Sequence, residues 1–192
     1  MKKLLLFTLI IFSVLQLHAE NHLTFCGVQI DGELSSFMFQ LEGQGFTSEI
    51  KDGTGVMTGT FMGQEVGIII TTTPKSHNVF SLVAMVESNS KWAVLETIYR
   101  NMVDSLQAVY GTPKETIWDV AEDANPKREV AKKRATIKTV FETNEGGVIV
   151  GIDKVPFLGL MVWVAYFFFG WRSTLYMARP KEAWWFKGKS VS

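Results

Sequence analysis

The sequence contains a single cysteine, Cys26, and this scarcity excludes one whole class of protein. One cysteine cannot form an internal disulfide bond, so the chain is not a small scaffold held together by disulfides. At this length a chain can be stabilised by its own hydrophobic core instead. Cys26 lies in the alternating run from Leu23 to Val28, which predicts a strand, and we therefore expect its thiol to be buried.

Histidine is almost as scarce, with His18, His22 and His77. The sequence has no C-x-x-C or H-x-x-x-H spacing, and a zinc site needs several convergent ligands, so solvated histidines are expected. It also has no G-x-S-x-G motif, and the glycines of residues 53–59 do not follow the G-x-G-x-x-G spacing and are interpreted as turn and bulge residues. We therefore predict no catalytic, cofactor-binding or metal-binding residues. A hydrolase whose site is assembled from distant residues is the alternative.

The chain has no excess of charge of one sign, with 19 basic and 19 acidic residues. Binding to nucleic acid through bulk charge is therefore not expected. A local acidic run is interpreted as a solvated loop edge and a local basic run as a solvated loop or short helix, with contact to an anionic partner as the alternative. These runs are Glu115, Asp119, Glu122 and Asp123, and Lys127, Arg128, Lys132, Lys133 and Arg134.

The first residues have the three-part pattern of a secretory signal peptide. Lys2 and Lys3 supply the positive start, residues 4–17 form a short apolar run, and small or neutral residues end at Ala19. Cleavage after Ala19 is predicted, and an uncleaved anchor is the alternative. Cys26 follows bulky residues, which excludes the lipoprotein pattern. We expect a secreted or periplasmic protein with one domain at residues 20–171 and a basic, aromatic tail at 172–192.

The strongest helix pattern in the sequence spans residues 90–113. Apolar residues recur at spacings of three and four, which places them on one face of a helix. Ser90 is suited to cap its first turn, and Gly111 followed by Pro113 ends it. The stripe is expected to pack on a sheet, and it consists of Trp92, Leu95, Tyr99, Met102, Leu106 and Val109. Glu96 and Arg100 lie one turn apart on the polar side.

Strand-like segments flank this helix on both sides. A predicted strand at Leu23–Val28 and a first helix at 33–42 come first. The other strand-like segments lie at 47–51, 56–61, 65–72, 79–86, 114–120, 135–142, 148–152 and 158–169. Short turns such as Asp52-Gly53 join many of them, which favours antiparallel pairing and an α+β class. The order predicts two helix-plus-antiparallel-sheet halves, at about 23–89 and 90–169, which is the order a duplication would give. Val79–Val86 is apolar on both faces and is expected to be central.

Residues 155–171 support two interpretations. The segment carries no charge and is followed by basic residues, as in a short membrane span, so membrane contact through residues 155–192 is one possibility. Pro156 and Gly159 interrupt a helix there, and β-branched and aromatic residues fill the run. A central strand from Leu158 to Phe169 is therefore favoured over a span.

The opening F-C-G-V-Q-I-D-G, at residues 25–32, is followed by Phe37, Leu41 and Gly45-Phe46. This pattern, together with Tyr110-Gly111-Thr112-Pro113 after the second helix, resembles small secreted proteins of unknown function from gut bacteria. The tandem helix-plus-four-strand order is also similar to the β-lactamase-inhibitor-protein-like fold. The chain departs from the first group after Tyr166, where that group has Y-x-D-x-x-N.

The resemblances imply export and a binding scaffold, and they imply no activity. The function expected from the sequence is therefore a non-catalytic binding or interaction module of the bacterial envelope, with an unknown protein or envelope ligand. The two alternatives are the hydrolase and a single-pass membrane-anchored component.

Overall fold

The computed structural model describes residues 23–51, 54–86, 89 and 91–168, and it has the predicted α+β class. The described elements are β1 (Thr24–Phe25), β2 (Val28–Gln29), α1 (Leu34–Glu42), β3 (Thr47–Lys51), β4 (Thr54–Phe61), β5 (Gln64–Thr72), β6 (Val79–Val86), α2 (Trp92–Tyr110), β7 (Glu115–Trp118), α3 (Pro126–Ala131), β8 (Ile137–Glu142), β9 (Gly146–Val155) and β10 (Gly159–Phe168).

An eight-stranded antiparallel sheet organises the fold, in the order β3-β4-β5-β6-β10-β9-β8-β7. Each half of the sheet runs from its edge to its centre in chain order, and each follows one long helix. The halves meet where β6 pairs with β10, with Val83 opposite Ala165. The two helix-plus-sheet halves predicted from the sequence are therefore present. The second half contains α3 in addition, because Asn125 caps the segment after it by accepting a bond from the Arg128 N–H at 3.1 Å.

Both long helices lie on one face of the sheet. The ladder registers place Thr139, Val150, Val164, Ala84 and Ile68 in one row across five strands, and each of these residues is buried. On that row, α2 is fixed by a hydrogen bond of 2.7 Å between the Tyr99 and Thr139 hydroxyls. The face that carries this row is called the helix face, and the hydrophobic core lies between it and the helices.

Glycines in β4 allow α1 to approach the helix face closely. A Cβ atom at Gly55 would come within 2.7 Å of the Leu34 side chain, and one at Gly59 within 2.5 Å of the Phe46 ring. Both glycines lie inside β4 rather than in turns or bulges, so that part of the interpretation of residues 53–59 was wrong. Their role is to leave room for the packing of α1 and the chain after it.

The predicted helix of the second half is confirmed as α2. Leu95, Tyr99, Met102 and Leu106 are buried, as their spacing predicted. Val109 is 70% exposed, and the next residue, Tyr110, faces the core instead, with its ring 6.3 Å from the Phe141 ring, so the assignment of Val109 to the buried stripe was wrong. Arg100 and Glu96 form the expected ion pair at 2.7 Å, and Gly111 has a positive φ of 79° that glycine adopts without strain.

The region around Cys26 differs from its prediction. The expected first strand is two short strands, β1 and β2, which pair with each other across a turn at Cys26 and Gly27. Cys26 has a φ of 50° and is half-buried, so it is not a fully buried strand residue. Phe25 carries the packing instead: it is fully buried, and its ring contacts the Tyr166 ring at 5.4 Å between centroids. The turn therefore fixes β1 on the core.

The apolar run near the end of the described chain is a central strand, as favoured from the sequence. β10 pairs along its length with β9 and also with β6. Among the described residues, no helix combines the length and the apolar character needed to cross a bilayer.

Several predictions fall on residues that the structure does not describe. These are the signal peptide and its cleavage site, His22, the Asp52-Gly53 turn, the Ser90 cap and the segment from 169 to 192. They stay predictions, as do the domain limits of 20 and 171.

Candidate functional site

The face of the sheet opposite the helices is apolar, and none of the described helices packs on it. One row across it joins Val56, Ile69, Val83, Ala165, Ile149 and Val140, which the registers place side by side. A neighbouring row contains Met85 beside Trp163. We call the surface made by these residues the open face.

The open face is separate from the hydrophobic core. Val130 of α3 belongs to the buried core cluster, whereas Ala165 and Met161, which lie on the same side of β10 as Trp163, do not, although they are only 2% and 3% exposed. Ile69 is 39% exposed at the middle of β5. The exposed apolar surface of the open face is therefore centred on Ile69, with Val83 and Trp163 partly exposed nearby.

Two glycines shape the centre of the open face. The Trp163 indole lies over Gly151, where a Cβ atom would meet the ring at 2.8 Å. Gly67, next to Met85, has open space where a side chain would stand. The result is an aromatic ring lying over one strand beside an unfilled space over another, which suits contact with another surface.

Charged and polar side chains border the apolar centre. Near the β7 edge, Lys138 lies 3.9 Å from the Glu115 carboxylate, and Lys114 forms an ion pair with Glu142. Thr58 and other threonines are exposed toward the opposite edge. An apolar centre with a polar border is the arrangement found in protein–protein interfaces.

A second concave feature lies on the helix face, between α2 and β7. It is a groove of about 410 Å³. Its lining residues are Tyr99, Arg100, Val103, Asp104, Thr116, Trp118 and Thr139. Trp118 is 37% exposed, which is a large exposed aromatic surface for a short strand.

Contacts on three sides hold Trp118 in place. Its ring lies 6.5 Å from the Trp92 ring and 6.1 Å from the Tyr99 ring, and the Arg100 guanidinium lies over it at 5.2 Å. Glu96 fixes this arrangement by accepting bonds from Arg100 and from the Trp92 indole N–H at 2.9 Å. Trp118 is therefore a rigid wall of the groove.

Hydroxyl groups make the floor of the groove polar. The fully buried Thr139 hydroxyl bonds to Tyr99 and lies 3.4 Å from the Thr116 hydroxyl. Burial raises the pKa of Tyr99, so its hydroxyl is neutral at physiological pH. A groove of this size, with an aromatic wall, a hydroxyl floor and one basic and one acidic side chain in its lining, accommodates side chains or a small ligand.

The structure separates the titratable residues considered from the sequence. Glu115 is on the open-face side of β7, whereas Asp119, Glu122 and Asp123 lie on the exposed chain after it. In the basic run, Arg134 bonds to Glu129 at 2.6 Å, which lowers the pKa of that carboxyl group. His77 is exposed in a turn.

Cys26 has the opposite of an activated thiol environment. Burial raises the pKa of Cys26, and a nucleophilic cysteine needs a lowered one. No group of three histidine, cysteine or acidic side chains converges in the described ranges. The raised pKa and the lack of a convergent ligand group describe the chemistry of these side chains, and neither assigns a function to them.

Sequence reasoning missed both the groove and the open face. Trp118 was assigned to a strand, and Tyr99 to the helix stripe, but nothing in the sequence shows that the two elements are adjacent. The sequence did contain one indication of the open face, because residues 79–86 and 158–169 are apolar on both sides.

Comparison of the chain with protein-family models, with curated proteins and with solved structures gives no match.

Proposed function

We propose that this protein is an exported, non-catalytic binding module of the bacterial envelope, and that the open face binds a second, folded protein. The observation that carries this proposal is the exposure of Ile69 in the middle of β5, beside the partly exposed Val83 and close to the partly exposed Trp163. Exposed apolar patches with polar borders mark interaction sites on soluble proteins.

The dimensions of the open face favour a protein partner over a small molecule. Strands are about 4.8 Å apart and rise about 3.3 Å per residue, so six strands of eight residues cover roughly 24 by 26 Å. A stable interface buries about 800 Å² on each partner, which is close to this size. One face of a sheet offers little enclosure to a small ligand but packs well against another protein surface, as two sheets do in a sandwich.

The location in the envelope is supported by the N-terminal pattern. A positive start, a short apolar run and Ala19 before the cut are typical of exported bacterial proteins. Mass spectrometry of the exported chain should identify Glu20 as its first residue. Retention of Met1 on the mature form would contradict cleavage and favour the anchored alternative.

Site-specific photo-crosslinking tests the open face directly. A photoreactive amino acid is placed at Ile69 on the open face or at Phe39, which is 75% exposed on α1 and serves as the matched control. We expect a defined cross-linked product from position 69 and none from position 39. Equal products from both positions, or none from 69, would remove the support for this surface.

A binding measurement then follows with the purified cross-linked partner. Ile69→Glu should weaken binding at least tenfold, because it places a charge at the centre of an apolar interface, whereas Phe39→Glu should leave the Kd unchanged. Both sites are exposed, so thermal unfolding should show both variants folded. A product with twice the mass of the chain would instead assign the open face to self-association.

A further inference from the structure

β7 is the last strand on its side of the sheet, and its outer edge is unpaired within the described ranges. Just after β7, the Asp119 N–H donates to the Thr136 carbonyl oxygen at 3.0 Å, so Asp119 and Thr136 form a hydrogen-bonded pair. Facing residues of antiparallel strands alternate between hydrogen-bonded and non-hydrogen-bonded pairs. Ile117, two residues before Asp119, therefore also bonds to β8. The backbone N–H and C=O groups of Thr116 and Trp118 therefore point away from the sheet.

The side chains of the same two residues line the groove beneath α2. Thr116 is paired with Thr139, and Trp118 with Ile137, and both partners are buried on the helix face. The unpaired backbone groups and the mouth of the groove are thus adjacent along one edge. Val103 and Asp104 of α2 form the facing wall.

We propose that an extended peptide segment of a partner protein binds along β7 as an additional strand and places an alternate side chain in the groove. Main-chain bonds to Thr116 and Trp118 hold the segment, and the groove selects the side chain, as in other cases of strand addition. This site is distinct from the open face, since it uses the edge and the opposite side of the sheet.

The groove specifies the chemistry of the peptide. The inserted side chain is apolar, because Trp118, Tyr99 and Val103 surround it. Arg100 also lines the groove, but it is paired with Glu96, whereas Asp104 has no ion-pair or hydrogen-bond partner in the described part of the chain. The Asp104 carboxylate therefore repels acidic peptides and attracts a basic residue beside the apolar one. β7 has four residues, which limits the paired segment to about the same length.

Selection from a library of random octapeptides displayed on phage, with the full chain as bait, tests the proposal. Enriched peptides should carry an apolar residue next to a basic one, and a synthetic copy should bind the purified chain in a fluorescence-anisotropy titration. Amide hydrogen exchange should slow at Thr116 and Trp118 when this peptide is bound, whereas Ile117 should not change because β8 already bonds to it.

Methylation of single peptide nitrogens gives an internal control for main-chain pairing. Methyl groups on nitrogens that face β7 should weaken binding at least tenfold, and methyl groups on the alternate nitrogens should not. Side-chain binding without strand addition would show no alternation.

Variants of the protein separate the edge from the groove and from the open face. Thr116→Pro removes an N–H that β8 does not use, and proline is tolerated at that kind of edge position, so the fold should persist while peptide binding is lost. Trp118→Phe, a milder change, should reduce affinity without unfolding. Ile69→Glu on the open face should leave peptide binding unchanged, so this proposal and the proposed function fail independently.

Three results would overturn the proposal. They are the absence of any enriched peptide, equal binding by the folded Thr116→Pro variant, and protection of amides elsewhere than β7.

Discussion

Replacement of Leu106 by alanine tests the packing of α2 on the sheet most directly. Leu106 is 1% exposed on the helix face of the fold, and Val109, one turn later, is 70% exposed. Both are aliphatic, both lie on the stripe predicted from the sequence, and both are in the last turns of the same helix. Comparing substitutions at Leu106 and Val109 therefore separates the effect of burial from the effect of position on the helix.

Leu106→Ala is expected to lower the free energy of unfolding by about 2–5 kcal/mol, because it removes buried methyl groups and leaves a cavity. For a domain of this size, each kcal/mol corresponds to about 2–4 °C in Tm, so the midpoint should fall by roughly 4–20 °C. Val109→Ala should change stability by less than about 0.5 kcal/mol, since alanine favours the helix and little burial is lost.

Circular dichroism of the purified chains during thermal and urea unfolding measures both effects. The urea m value should be the same for the two variants, so that the change in midpoint reports stability. Equal losses from Leu106→Ala and Val109→Ala would mean that α2 packs with a different face. No loss from Leu106→Ala would mean that the described core is wrong.

Three further predictions concern the centre of the fold and its titratable groups. A chain ending at Asp153 lacks β10, which pairs with both β6 and β9, so it should show no cooperative thermal unfolding; a well-folded fragment would contradict the architecture. Because burial raises the pKa of Cys26, iodoacetamide should modify it more slowly than a model thiol at pH 8, and equal rates would contradict that environment. Burial raises the pKa of Tyr166, with smaller effects from neighbouring groups, so its contribution to stability is complete below the unfolded pKa of about 10 and is lost as the pH rises through the folded value. Urea unfolding of Tyr166→Phe should depend less on pH above 10 than that of the unmodified chain.

The local sequence pattern predicted the helices and strands of this fold well wherever the element is regular. The periodicity of α2 identified the buried residues Leu95 to Leu106, because a regular helix repeats one face. Residues 79–86 and the end of the described chain are apolar on both sides, which located the two central strands. The turn at Cys26 was missed, since a two-residue strand pair has the same alternation as one strand.

The surfaces could not be predicted in the same way, because they depend on which elements are adjacent. Val109 continues the periodic stripe and is nevertheless exposed, because Tyr110 rather than Val109 packs on the core at the end of α2. The groove needs Trp118 beside Tyr99, and only the pairing of β7 with β8 brings them together. Ile69 is exposed because no described helix packs over it, and no local pattern records which elements pack together.

The position of β10 has a consequence for how the chain reaches its folded state. Val83 and Ala165 are opposite each other at the centre of the sheet, so the contact that joins the halves is among the most distant in sequence. Contacts of this kind slow folding, because a long loop must close before they form. Until β10 is available, the inner edge of β6 stays unpaired and is prone to pair with other chains.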